Sequence, residues 1–184
     1  MIGMTTDSVR PHERVDYWQD LVTRHVTPMR IEPSRGTPLR GEVQAQVIGN
    51  VTVAEVSGHG INASHTRAEV AHTTGHLYAV CVNLDGDTRI KRRGELITFQ
   101  KGDVFITDSR HEFTLDLERP WRHLVVSLPT EWIDSRVARL EEFHELRTKP
   151  RSQIWMGKCR EHGSQLRRHH GQAWPIIRDF EEHV

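Results

Sequence analysis

The chain has 184 residues, with 25 basic side chains balanced by 25 acidic ones, so its composition announces no clustered basic face of the kind a nucleic-acid duplex demands. Hydrophobic residues make up 36% and charged residues 27%, and no stretch nears the roughly 20 apolar residues of a membrane-spanning helix. The first ten residues lack the apolar centre of a signal peptide. Cys81 in an apolar run and Cys159 in a polar stretch read as free, reduced thiols, so a cytoplasmic address is the default expectation.

Residues 11–26 predict the first helix. Pro11 suits a first turn, and Val15, Trp18, Leu21, Val22 and Val26 form one apolar stripe that Pro28 ends. Residues 30–41 hold two prolines and two glycines and read as an irregular connection. From residue 42 the period becomes two. Val43, Ala45 and Val47 alternate with Glu42, Gln44 and Gln46 in a half-buried strand, Gly49-Asn50 turns the chain, and 51–56 alternates again with Val51, Val53 and Glu55 on one side. Residues 61–71 are polar and without a clear period. The run 76–84 is apolar on both faces and predicts a strand covered on each side. Asp85-Gly86-Asp87 is a hairpin signal, strands at 88–92 and 95–99 flank Arg93-Gly94, and Lys101-Gly102-Asp103 turns into strands at 104–107, 113–117 and 122–128.

Many short strands separated by turn signals describe a mainly β barrel or sandwich and argue against a parallel sheet with crossover helices. After Pro129, Trp132, Ile133, Val137, Leu140 and Phe143 predict a helix over 130–146, with Glu131 and Asp134 where its dipole favours them. The domain is therefore placed at 1–146. Residues 147–184 are interrupted by Gly157, Gly163, Gly171 and Pro175 and read as an irregular tail with room for one short helix at 174–182. The cluster Arg167, Arg168, His169 and His170 reads as a solvated loop.

The ordered set comprises Trp18 in the early helix, Thr66-Arg67 before the central strand, Gly86, Gly94, Lys101-Gly102-Asp103, Asp108-Ser109, and Leu128-Pro129 opening a helix. Over about residues 8–145 it resembles the N-terminal cupin-like ligand-binding domain of AraC/XylS-type transcription regulators. Where that family usually has Pro-Tyr after the Asp-Ser pair, this chain has Glu112-Phe113. The resemblance implies a cupin-like, double-stranded β-helix (jelly-roll) barrel with flanking helices and a small-molecule effector in its mouth. It also implies a homodimer, or pairing with an intact homologue. Contact with DNA would come through a helix-turn-helix domain that this sequence does not recognisably contain, as in a truncated gene product or a stand-alone sensor. No cofactor is expected.

A barrel mouth that binds an effector needs an apolar wall and a few convergent polar groups. The candidates are His65, Arg67, Tyr78, Trp121 and His123. Arginine can clamp a carboxylate, and the aromatic rings can stack on a ligand; the competing reading makes Tyr78 and Trp121 core residues and Arg67 half of an ion pair. The alternative function, a metal-dependent cupin enzyme, needs two or three imidazoles and a carboxylate on one ion. His59 and His65 are six apart and His72 and His76 four apart, and His111 alone matches the later cupin histidine, so no metal is expected. No Gly-x-Ser-x-Gly turn is present, and Cys81 in a buried strand would be an inert thiol, so no catalytic residue is assigned.

Overall fold

A succession of antiparallel hairpins organises residues 2–135, the part of the chain described by the computed structural model. The strands are β1 (Ile2–Thr5), β2 (Arg30–Pro33), β3 (Arg40–Ile48), β4 (Val51–His59), β5 (Ile61–His65), β6 (Leu77–Asp85), β7 (Thr88–Arg92), β8 (Glu95–Phe99), β9 (Val104–Asp108), β10 (Phe113–Leu117) and β11 (Trp121–Pro129). The helices are α1 (Arg14–His25), α2 (Arg67–His72) and α3 (Thr130–Asp134). One sheet runs β1-β3-β4-β11-β6-β9 and the other β2-β5-β10-β7-β8, and every strand pair among the described residues is antiparallel. This is the double-sheet jelly-roll arrangement that the turn spacing predicts. The predicted helix beyond residue 135 and the irregular tail lie outside the described residues.

The core sits between the sheets and is fed by α1. Trp18 and Leu21 on that helix, Val43 and Ala45 on β3, Ile61 and Ala63 on β5, and Phe105, Phe113 and Val125 further along the chain are all buried in one cluster. Trp18 lies flat on the backbone of Gly41. A Cβ there would come within 2.5 Å of the indole ring, so glycine lets the helix approach the sheet. In β3 the predicted alternation holds for Val43 and Ala45, while Val47 is exposed at the far end of the hairpin. Val43 pairs with Val56 and Ala45 with Ala54, so in β4 Ala54 and Val56 face inward rather than the 51-53-55 set.

Three elements depart from the sequence expectation. β2 lies within the stretch expected to be irregular; it is an edge strand pairing only with β5, where the missing N–H of Pro33 costs little. α2 occupies the polar stretch. Its N-terminus is closed by a capping box in which Thr66 Oγ1 accepts from Ala68 N at 3.2 Å and Glu69 accepts from Thr66 N at 2.9 Å. β1 adds an edge strand at the N-terminus, paired with β3.

Two family-like turns dock their neighbours. Asp103 Oδ2 accepts from Gln100 N at 2.8 Å, and the Gly102 N–H donates to the Asn83 carbonyl at 2.7 Å, pinning the β8–β9 turn to the end of β6. Gly86 turns β6 into β7 with φ 76°, and a Cβ there would meet the Pro120 carbonyl at 2.2 Å.

A cavity between the sheets

Strand parity decides which side chains meet inside. In β11, Trp121, His123, Val125 and Ser127 are buried while the residues between them are half-exposed. In β6 the same parity turns Ala79, Cys81 and Asn83 inward, and in β10 Phe113 and Leu117. All of these except Ser127 and Asn83, together with Trp18, Val22, Val26, Thr27 and Met29 from α1 and the segment after it, line a cavity of about 60 Å³. Its wall draws on both sheets: Val56, Ala79, Cys81, Phe105, Thr107, Trp121, His123 and Val125 on one side, and Ile31, Ile61, Ala63, Phe113, Leu115 and Leu117 on the other. No acidic or basic side chain other than the imidazole of His123 takes part.

The polar groups of this wall are few. Thr88 Oγ1 and His123 Nε2 share a hydrogen bond of 2.7 Å, and the His123 ring sits 4.8 Å from the Trp121 ring and edge-on to Phe105 at 5.4 Å. Burial pushes the His123 imidazole down to about 4 and the Cys81 thiol up to about 12, so both are neutral at physiological pH. Trp18 Nε1, Thr27 Oγ1 and Trp121 Nε1 are buried, with no hydrogen-bond partner among the described residues. A buried donor left unpaired costs roughly 1–3 kcal/mol.

The five residues singled out from the sequence do not converge. Trp121 and His123 line the cavity. His65 is fully buried beside it: Nδ1 lies 2.6 Å from the Pro28 carbonyl, Nε2 lies 2.9 Å from the Ser109 carbonyl, and the ring stacks on Phe113 at 5.4 Å. Both nitrogens are thus engaged in tying the segment after α1 to the β9–β10 turn. Arg67 is exposed in the first turn of α2.

Tyr78 is buried on the outward face of β6. Its hydroxyl donates to Asp134 at 2.7 Å, and Arg110 covers its ring at 5.1 Å and donates to its oxygen. Burial and the Asp134 hydrogen bond push the phenol up to about 12. The same Arg110 grips the buried Asp108 at 2.9 Å. Burial opposes ionisation of that carboxyl, yet the hydrogen bonds from Arg110 outweigh it and hold Asp108 below its ordinary value. Tyr78, Arg110, Asp108 and Asp134 therefore form a clasp between β6, the β9–β10 turn and α3.

For metal chemistry the placements are equally specific. His111 Nε2 is 3.8 Å from Asp108, His72 Nδ1 bonds the Ala68 carbonyl at 2.7 Å, and His65 is engaged as above. Among the described residues no three His, Cys, Asp or Glu side chains gather in a way that could hold an ion. No helix among them is long and apolar enough to cross a membrane.

Sequence reasoning missed Trp18, Thr27 and Phe113 as cavity residues. Trp18 was visible as part of a helical stripe and of the family-like set, and Thr27 sits in the turn that follows. Phe113 could have been found from the parity of β10, since Phe113, Leu115 and Leu117 share one face.

Comparison with known proteins matches residues 18–182 to the AraC-binding-like domain family. No curated protein matches the chain. Among solved structures, the AraC-like transcriptional activator CuxR is similar with a TM-score of 0.66 at 10% identity, over 76% of this chain and 51% of that one. That likeness speaks to the fold, and the chain spans about half the length of the activator's chain. The cupin domain of Cnp3 from Schizosaccharomyces pombe aligns with a TM-score of 0.41 at 11% identity, over 55% of this chain and 74% of that one, too distant to carry an argument. With the family matched over most of its length on a two-sheet antiparallel frame, the chain belongs to the AraC-binding-like domain family and is a cupin-like domain of the AraC type, the ligand-binding class found in transcription regulators.

Proposed function

We propose that this domain senses a small-molecule effector bound in the cavity between its sheets and reports occupancy to a transcriptional response. The observation that carries the reading is the cavity itself: an apolar chamber framed by both sheets and α1. An effector there would touch Trp18 of α1 and Trp121 of β11 together, so its arrival changes how the helix seats on the sheet. Population of one helix position over another follows from that differential contact. Pairing with a second copy or an intact homologue, and DNA recognition by a separate domain, complete the proposal.

The test is a thermal-shift screen of the full chain with small acids, amines, sugars and neutral carbonyl compounds. A ligand at 100 times its Kd adds about 2.7 kcal/mol, which raises the Tm by roughly 5–11 °C at about 2–4 °C per kcal/mol for a chain of this size. Ala79→Leu and Ala63→Leu, which place bulk on opposite walls, should abolish the response while the chain still unfolds cooperatively. A full response in both folded variants would remove the cavity from the account.

A further inference from the structure

Resting on the effector reading, we infer that occupancy of the cavity is passed to α3 through two ties on one wall segment, residues 26–29, with His65 as the coupling residue. Val26, Thr27 and Met29 of this segment line the cavity. Two of its carbonyls are bound elsewhere. The Val26 carbonyl accepts from Ser127 Oγ on β11 at 3.2 Å, and the Pro28 carbonyl lies 2.6 Å from His65 Nδ1 at the end of β5.

Each tie leads to one end of α3. Ser127 stands near the end of β11, whose last residue, Pro129, hands the chain to Thr130. The Thr130 N–H donates to the His76 carbonyl at 3.0 Å. His65 leads to the other end, since its Nε2 lies 2.9 Å from the Ser109 carbonyl. Ser109 is fastened to the start of β6: its N–H donates to the Leu77 carbonyl at 3.0 Å, and its Oγ accepts from Leu77 N at 2.8 Å. The next residue, Arg110, donates to Asp134 Oδ2 at 2.7 Å, while Tyr78 donates to Oδ1 of the same carboxylate at 2.7 Å. Thr130 and Asp134 are the first and last residues of a five-residue helix. A shift of segment 26–29 therefore reaches both ends of α3.

His65 suits the part of coupler. Its ring is fully buried, it spans two carbonyls, and it stacks on Phe113 at 5.4 Å. Phe113 itself lines the cavity, so the ring meets the chamber wall both through β10 and through the segment after α1. A close-packed interior transmits a displacement of this kind instead of absorbing it. Residues beyond 135 are covalently carried by α3, so its anchorage is where occupancy inside can be passed on.

The chain contains two tyrosines, Tyr17 on α1 and Tyr78 in the clasp, so 3-fluorotyrosine gives the full chain two ¹⁹F signals, assigned with Tyr17→Phe. Val26→Ala and Met29→Ala, which loosen the wall segment, are each expected to displace the Tyr78 signal. Leu117→Ala removes bulk from the same cavity at the opposite end of β10 from Phe113 and is expected to leave that signal in place. His65→Phe keeps a stacked ring and removes both nitrogens. In that background the displacement should shrink, and with Ser127→Ala added it should vanish. Arg110→Met cuts the same path further on, at a half-exposed side chain, and serves if His65→Phe does not fold.

Three results overturn the relay: a Tyr78 signal that ignores both wall-segment variants, one that answers Leu117→Ala as strongly, or one displaced equally with and without His65. Each leaves the effector reading standing, because that reading is judged by the thermal screen. A coupled Tyr78 signal alongside a screen without any stabiliser overturns the effector reading alone.

Discussion

Burial lowers the His123 imidazole to about 4 from the ordinary value of 6.5, and this residue carries a pH dependence separable from that of the carboxylates. In the unfolded chain the ring takes up its proton near pH 6.5; in the folded one only near 4. The unfolded state therefore binds more protons throughout that window, and stability that is fully present above pH 6.5 drains away as the pH falls towards 4. At about 1.4 kcal/mol per pH unit, the loss is on the order of 3 kcal/mol. His123→Gln should flatten the stability curve across this window, measured by urea unfolding at a series of pH values. Identical curves for parent and variant would show that the ring is not desolvated as described.

At the scale of elements, the β7–β8 hairpin contains a correctable strain. Its two-residue turn places Arg93 at φ 47° and Gly94 at φ 85°, the left-handed pair that favours Asn-Gly. Arginine also sets a second guanidinium beside Arg92, whose own guanidinium is lowered by burial and by Arg93, and whose NH2 atom is buried without a partner. Arg93→Asn should stabilise the domain by roughly 0.5–1 kcal/mol by easing both effects. Chemical denaturation reads this directly, and a destabilised variant would mean that the arginine makes a contact worth more than the strain.

The hairpins and α1 were legible because their periods are clean and their turns carry glycine in the expected places; β7, β8 and β10 fall where alternation and turn residues put them. β2 escaped notice because Pro33 and its neighbours read as a breaker, and only its edge position makes the proline tolerable. α2 was hidden by polarity, although its Thr66-x-x-Glu69 capping box was written in the sequence. Trp121 and His123 were singled out for their chemistry, and the structure sets both on the cavity wall because β11 begins at Trp121, one residue before the predicted strand. The side to which Tyr78 turns was not legible, because a run apolar on both faces gives no parity, and only the partners Arg110 and Asp134 reveal it.

For the whole molecule, the two-sheet frame reconciles a packed core with a small apolar chamber. Trp18 seated on Gly41 holds α1 against one sheet, the His65 bridge ties the segment after that helix to the β9–β10 turn, and the Tyr78 clasp fixes α3 through Asp134. Unpartnered buried polar atoms occur both on the chamber residues Trp18, Thr27 and Trp121 and outside it, at Arg14, Ser34, His76, Asn83 and Arg92. The most direct measurement is a crystal structure of the full chain with the strongest stabiliser from the thermal screen. The account predicts ligand density between the sheets, in contact with Trp18 and Trp121. Density confined to the outer surface, at Arg67 or against the Tyr78–Arg110 clasp, with the chamber unchanged, would contradict it.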